Sequence, residues 1–364
     1  MDVRAAVAHR AGDPLAIETL ALSGLGDTEV LIEHRAAGLC HSDLHLIEGH
    51  TGCMFPLLPG HEGAGVVIET GRHVTGIAVG DHVVSCGMGE CGRCSACRSD
   101  LTNICEVSGF YGLGASFRPS PHFTIGGDPI ALLSQGATFS THTMVDQMYV
   151  TPIPREIPFD TACLLGCAVL TGVGAALFTA KVRPGSTVVV IGLGGVGLNV
   201  IDGAVLAGAE TIIGVDANPA KEAIGREFGM THFVDPRAGG DLVEQIRDRT
   251  GGGADYAFEC VGRPELVKAA LQMTRSEWGT AVVIGVPTAP LQFDATEVMS
   301  GRILTGSYFG KAKTRTDLRK FADLLAAGEL HTDKLVSHRI GLAEINHGFD
   351  MMKRGESIRT VIVY

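Results

Sequence analysis

Four cysteines, Cys91, Cys94, Cys97 and Cys105, stand in the run CGRCSACRSDLTNIC, with two, two and seven residues between them. Steps of two residues let a tight loop wrap a single ion, and four sulfurs complete a tetrahedral shell with no position left for water or substrate. The chemistry implied is structural, a zinc that holds a loop. Four thiolates also suit an iron–sulfur cluster, and spacing alone leaves that alternative open. Disulfides fit poorly, because the start MDVRAAVAHRAG has no basic segment followed by an apolar core of the secretory kind. A second set of metal-competent residues is scattered. Cys40-His41-Ser42-Asp43-Leu44-His45 packs a thiol, two imidazoles, a hydroxyl and a carboxylate together, Gly60-His61-Glu62-Gly63 puts an imidazole on a glycine-flanked turn, and Cys167 lies in an apolar run. Spacing does not show that they meet. A cysteine in an apolar run is usually a buried hydrophobe, and His41 and His45 are spaced as an i, i+4 pair on a helix.

The third group is Gly192-Leu193-Gly194-Gly195-Val196-Gly197, which follows the apolar run Thr187 to Ile191 and opens a helical pattern. In such a strand–turn–helix the first glycine makes the turn, the second admits a pyrophosphate to the backbone, and the third lets helix and strand pack closely. Asp216 ends the next apolar run, 19 positions after Gly197. A carboxylate there accepts from a ribose 2′-hydroxyl and repels a 2′-phosphate, which favours NAD over NADP. The bland reading of Asp216 is a helix N-cap, and that of Lys221 a solvated lysine.

These groups need elements to hold them. Up to about residue 160 the apolar residues come in short β-like runs, such as Val30-Leu31-Ile32, Val66-Val67-Ile68 and Val83-Val84, between glycine, proline and charged turns. From about 186 to 290 the rhythm becomes strand, helix, strand, which implies a parallel sheet with crossover helices. A helix is expected over Thr316 to Ala327 and a last strand in TVIVY, while 109 to 140 reads as one long loop. At 364 residues the chain accommodates two domains, and 45% apolar residues with 49 glycines describe a globular, turn-rich protein. A net charge of −11 supplies no basic face for nucleic acid. Thr161 to Ala180 is uncharged over 20 residues, but glycines interrupt it, so a buried helix is expected rather than a membrane span. A cytoplasmic location is expected from the ten cysteines and the absence of a leader.

GLCHSDLHLIEG, PGHEGAGVV, the four-cysteine lobe, LLGCAVLTGVGAAL, VVIGLGGVGLNVI with Asp216, and the terminal ESIRTVIVY occur in the order seen in zinc-containing medium-chain alcohol dehydrogenases. The chain resembles that family from end to end. The resemblance implies an α/β protein with a GroES-like β-rich catalytic domain, residues 1–168 and 309–364, interrupted by a doubly wound Rossmann NAD-binding domain, residues 169–308, with the active site in the cleft between them. It also implies two zinc ions per chain: a catalytic one on Cys40, His61 and Cys167 with one open position, and a structural one on the four-cysteine lobe. Asp43 resembles the carboxylate that orients the histidine ligand, and Glu62 the acid beside the zinc. Ser42 matches the hydroxyl that takes the alcohol proton, and His45 the outer end of that relay. His41 and Arg359 resemble pyrophosphate contacts, Thr171, Val261 and Val286 further NAD contacts, and Lys221 the adenosine-ribose contact. Asp216 and the glycines 192, 194, 195 and 197 with Val196 complete the cofactor set.

The reaction this implies is hydride transfer from a primary alcohol to NAD, giving an aldehyde, and its reverse. Gly87 stands where the liver-type and glutathione-formaldehyde branches place an aromatic side chain, which points to a bulky, aromatic or medium-chain alcohol. Gly49 to Phe55 lacks the acidic residue found before Gly-Cys-Phe in glutathione-formaldehyde enzymes. The alternative is a dehydrogenase of S-hydroxymethyl-thiol adducts, with Arg118 and His122 meeting an acidic partner, or an oxidoreductase that retains its nicotinamide. A second alternative is a non-enzymatic, zinc-stabilised redox-sensing or structural protein. The long loop between Cys105 and Cys167 resembles that of dimeric branches, so a homodimer, or a higher homo-oligomer, is the expected assembly.

Overall fold

The computed structural model describes residues 1–50, 53–108, 119–133, 136–287 and 289–364. They fall into two units, Met1–Cys167 with Lys313–Tyr364, and Ala168–Ala312.

The first unit is built on two sheets. One has the strand order Asp2–Val7, Ala16–Leu22, Pro119–Ile125, Asp128–Leu132, Leu57–Leu58. The other runs Val150–Pro152, His82–Ser85, Glu62–Thr70, Glu29–Gly38, Arg359–Val363, Val336–Ile340, with His142–Asp146 also paired to Glu29–Gly38. The long strand Glu29–Gly38 is the spine: Gly38 lies opposite Glu62 on one side and Val361 on the other. That register carries two distant segments to the same end of the sheet, where the helix His41–Ile47 begins.

The expected loop from 109 to 140 is corrected in part. Its described residues contain a hairpin, Pro119–Ile125 with Asp128–Leu132, closed by Ile125 opposite Asp128. Gly126 and Gly127 both have positive φ, +60° and +95°. Two such residues make the turn whose twist matches a β-hairpin, and the proline-rich flanks hide the alternation that would otherwise mark the strands.

The second unit is a six-stranded parallel sheet in the order His232–Val234, Thr211–Val215, Thr187–Ile191, Tyr256–Glu259, Thr280–Val283, Ile303–Gly306. Val188, Val189 and Val190 are fully buried. A continuous β-branched run is what a parallel strand covered on both faces requires. The uncharged stretch expected as a buried helix is divided at Cys167, with Phe159–Ala162 and a 3₁₀ turn before it and Ala168–Gly174 after it. Among the described residues no single helix is long and apolar enough to cross a membrane.

Candidate metal and dinucleotide sites

Cys40 is the residue before the helix His41–Ile47, in extended backbone. His61 immediately precedes the strand Glu62–Thr70, and Cys167 follows the 3₁₀ turn Cys163–Gly166. One donor atom each from Cys40, His61, Glu62 and Cys167 lies within 4.8 Å of the others. All four residues are buried. Asp43, wholly buried, accepts at Oδ1 from the backbone N–H of Gly60 and from His61 Nδ1, both at 3.0 Å. That bond fixes the tautomer and turns Nε2 toward the thiols, as an orienting carboxylate does for a metal-bound histidine.

The electrostatics suit a divalent cation. The Cys40 thiol is pulled well below its ordinary range, first by a hydrogen bond from Cys167 and then by His61, and Cys167 is pushed up, first by that same hydrogen bond to Cys40 and then by burial. Burial works against charge on His61, but Asp43 and Cys40 outweigh it, so its pKa rises. Burial pushes Glu62 up to about 7 while Arg359 pulls it down. Glu62 Oε1 accepts from Arg359 Nη2 at 2.8 Å, and Oε2 has no hydrogen-bond partner among the described residues. An orphaned carboxylate oxygen beside two thiols and an imidazole nitrogen is a donor set that zinc satisfies. Where the sequence led us to expect an open fourth position, Glu62 faces it.

The four-cysteine lobe passes a sharper test. Cys91 Sγ and Cys97 Sγ are 3.9 Å apart, and Cys94 Sγ and Cys105 Sγ 4.0 Å. A tetrahedron with Zn–S bonds of about 2.3 Å has edges of about 3.8 Å. Backbone N–H groups of Cys97 and Ser108 donate to the sulfurs of Cys94 and Cys105. The first of these chiefly lowers the Cys94 thiol to about 6.

The remaining expected residues divide. Ser42 Oγ is 3.7 Å from Cys40 Sγ. His45 pairs with His50 rather than standing alone, and His41 is exposed at the start of the same helix. Arg359, expected at a pyrophosphate, is buried, with Nη2 on Glu62 and Nη1 donating to Leu39 O at 2.8 Å. The role it visibly performs is counter-charge to Glu62. His122 is corrected: only 8% exposed, it is held by Glu29 Oε1 at 2.9 Å and Ser23 O at 3.2 Å and is no free surface contact. Arg118 lies outside the described residues, as do positions 51 and 52 of the Gly49 to Phe55 segment.

In the second unit the turn after Thr187–Ile191 opens the helix Gly195–Leu206. A Cβ on Gly197 would lie 1.8 Å from Gly192 O, so helix and turn touch through backbone alone. Asp216 Oδ2 accepts from Leu193 N at 2.8 Å and Lys221 Nζ at 3.0 Å, and Oδ1 from Asn218 N at 2.8 Å. The acid therefore ties the glycine turn to the next strand end as well as presenting charge there. Thr171 is half-buried on the helix Ala168–Gly174. Val261 and Val286 follow the strands Tyr256–Glu259 and Thr280–Val283 at the carboxyl edge of the sheet, where parallel α/β sheets bind ligands. Asp216→Ala is expected to raise the KM for NAD about tenfold, the equivalent of ~1.4 kcal/mol, and to narrow the preference over NADP. Steady-state kinetics with both cofactors checks it; an unchanged cofactor ratio removes Asp216 from the ribose site.

Sequence reading missed the Glu62–Arg359 pair and the His45–His50 pair. No spacing signal joins the first. The second had a local one, Gly49 directly after a helix.

A two-unit architecture with a four-thiolate lobe, a Cys/His/Glu/Cys cluster and a glycine-turn parallel sheet defines a zinc-binding dehydrogenase. Residues 26–155 match the alcohol dehydrogenase GroES-like domain, and residues 195–327 the zinc-binding dehydrogenase family. The chain is 43% identical to an alcohol dehydrogenase class-3 of Cereibacter sphaeroides, over the full length of both. It is 40% identical to an S-(hydroxymethyl)glutathione dehydrogenase of Paracoccus denitrificans, again over both whole chains. Among solved structures, an alcohol dehydrogenase zinc-binding domain protein from Burkholderia ambifaria superposes with a TM-score of 0.90 at 31% identity, covering 100% of this chain and 99% of that one. Benzyl alcohol dehydrogenase from Acinetobacter calcoaceticus gives 0.89 at 28%, with the same coverage. The chain belongs to the zinc-containing medium-chain alcohol dehydrogenase family. Its activity is that of a zinc-dependent, NAD-linked alcohol dehydrogenase, and the four-cysteine lobe is a zinc rather than an iron–sulfur site.

Proposed function

We propose that the enzyme oxidises the S-hydroxymethyl adduct of formaldehyde with a low-molecular-weight thiol, using NAD. The observation that carries this is the full-length identity, 38 to 43%, to class-3 and S-(hydroxymethyl)glutathione dehydrogenases. It reverses the weighting drawn from Gly87, which favoured a bulky alcohol. Two features keep that second reading in view: Gly87 is buried at the position where the liver-type and glutathione-formaldehyde branches place an aromatic side chain, and the fold is close to that of a benzyl alcohol dehydrogenase.

When bound by Cys40, His61 and Cys167, with Glu62 beside it, zinc supplies Lewis acidity that lowers the pKa of a substrate hydroxyl. The chain's own residues handle position and proton. Asp43 locks the His61 ring; Arg359 compensates the buried Glu62 carboxyl; Ser42 accepts the hydroxyl proton, and His45 carries it outward. NAD, which the glycine turn and Asp216 of the second unit would hold, would supply the hydride acceptor for the carbinol carbon, the oxidation that turns a hydroxymethyl thioether into a formyl thioester. A homodimer is part of this reading. Among the described residues the strand Ile303–Gly306 is one of the two edges of the second unit's sheet, and Ile303, with Phe293 and Met299 in the segment leading to it, is exposed, a surface that a second copy would cover.

The test is NADH formation with formaldehyde alone, formaldehyde plus glutathione or another small thiol, and benzyl alcohol. Turnover that requires both formaldehyde and a thiol is the expected result. Faster thiol-independent turnover of benzyl alcohol overturns it in favour of the second reading.

A further inference from the structure

The helix His41–Ile47 ends in a way that decides what lies beside His45. Gly49 has a left-handed φ of +76°. Its N–H donates to Leu46 O, and the N–H of His50 to His45 O, both at 2.9 Å. Together these bonds form the Schellman closure, which folds the second residue past the cap back over the last turn, usually to join two apolar side chains. Here both positions are histidine. Their Nδ1 atoms are 3.3 Å apart and their ring centroids 5.6 Å. A side chain at position 49 is excluded by φ and by space, since a Cβ would lie 2.7 Å from that of Ala11. The backbone itself therefore holds the two rings together. Glu48 Oε2 stands 3.7 Å from His50 Nδ1, and Glu48 Oε1 takes Lys353 Nζ at 2.8 Å from the C-terminal helix Ile345–Lys353. Among the described residues, the charged groups paired at this site are thus the Glu48 carboxylate and Lys353, which partly neutralises it. The His50 side chain is 55% exposed.

We propose that His50 is a second proton-transfer station, taking the proton from His45 and releasing it to water. The proposal rests on the reading of Ser42 and His45 as a relay. Imidazole is the side chain that can both take and give a proton near neutrality, and two in contact pass one along without a net change in either ring. In the oxidative direction His45 gains a proton at Nε2 and gives its Nδ1 proton to Nδ1 of His50. His50 then loses its Nε2 proton to solvent. One proton enters, one leaves, and no charge is stored. The tautomers are reset by water exchange when the exposed His50 ring turns away, and aldehyde reduction runs the same steps backward. Glu48 stabilises the transient cation on His50, a role its partial neutralisation by Lys353 keeps from becoming a trap.

The experiment compares His50→Gln, His45→Gln and the double variant in the whole enzyme, with kcat, KM and solvent deuterium isotope effect measured across pH in dilute buffer, with and without added imidazole. His50→Gln is expected to lower kcat on the acid limb about tenfold, less than the 10²-fold typical of a group acting in the transition state because water can replace it. KM, zinc content and thermal midpoint stay unchanged, imidazole restores the rate, and the double variant is no slower than His45→Gln alone. A slow His45→Gln beside a His50→Gln with a native pH profile and isotope effect overturns the proposal and leaves the Ser42–His45 relay standing. If neither variant differs from the native enzyme, the relay reading fails and the proposal fails with it. A slowed His50→Gln that imidazole does not rescue, with a lowered thermal midpoint, assigns the pair a structural role and also overturns it.

Discussion

His61→Ala is expected to reduce alcohol oxidation by at least about 10³-fold, because the several kcal/mol a Lewis acid contributes to the barrier converts at ~1.4 kcal/mol per decade. The loss follows from the site's construction. Cys40, His61 and Cys167 come from three separate segments, and His61 is oriented by donating from Nδ1 to Asp43. Removing the imidazole leaves two thiols and the Glu62 carboxyl without a neutral donor between them, and leaves Asp43, fully buried, with only the Gly60 N–H. Cys40→Ala is expected to behave alike. NAD affinity, read by titration of the cofactor's fluorescence, changes little, since the glycine turn and Asp216 belong to the other unit. Elemental analysis should show one zinc lost of the two for which there are ligand sets. Asp43→Asn keeps the geometry with a weaker acceptor and should cost only about 10- to 100-fold. Native turnover in His61→Ala protein that has lost this zinc would remove the metal from the reaction.

The contrast between the two metal sites shows what a chain reveals of itself. Cys91 to Cys105 are legible because four donors lie within fifteen positions and the local loop does the closing. Cys40, His61 and Cys167 are brought together by the register of Glu29–Gly38 against Glu62–Thr70 and by the 3₁₀ turn before Cys167, and neither is written in spacing. Only several motifs in family order located that site. The Arg359–Glu62 pair depends on the last strand docking beside the same spine, 297 positions away. Parallel strands of the second unit were easy for the opposite reason: Thr187–Ile191 is buried on both faces, so its composition alone marks it. Pro119–Ile125 was missed because prolines interrupt its alternation, although the Gly126-Gly127 pair was a usable sign of the turn. His50 has no motif of its own, yet a glycine after a helix carries a fixed geometry for the residue that follows.

Cys97→Ser is expected to damage stability far more than catalysis, and the reason lies in what the lobe holds. Lys313 Nζ donates to Cys97 O at 2.7 Å and Ser99 O at 2.6 Å. Glu90, nearly buried, accepts from Arg315 N, Thr316 N and Thr316 Oγ1 at 2.7, 2.9 and 2.6 Å, and Thr314 Oγ1 donates to Met88 O. The lobe and the adjoining Glu90 thus anchor residues 313–316, where the chain re-enters the first unit and from which the helix Asp317–Ala326 starts. Structural zinc sites contribute about 10 kcal/mol or more of binding free energy at neutral pH, which is folding free energy where the site does not exist unfolded. If even about 4 kcal/mol of that reaches the unit, its thermal midpoint falls by about 10 °C. Below that temperature kcat per folded chain should stay near native, because among the described residues no hydrogen bond joins the catalytic cluster's four donors to the lobe. Glu90→Gln gives the graded control: the metal stays, while charge-assisted bonds weaken by about 1–3 kcal/mol. The decisive pairing is zinc content with thermal midpoint. A Cys97→Ser protein that has lost one zinc yet melts at the native temperature would show that the thiolates alone hold the loop, and that the anchoring of residues 313–316 does not depend on the metal.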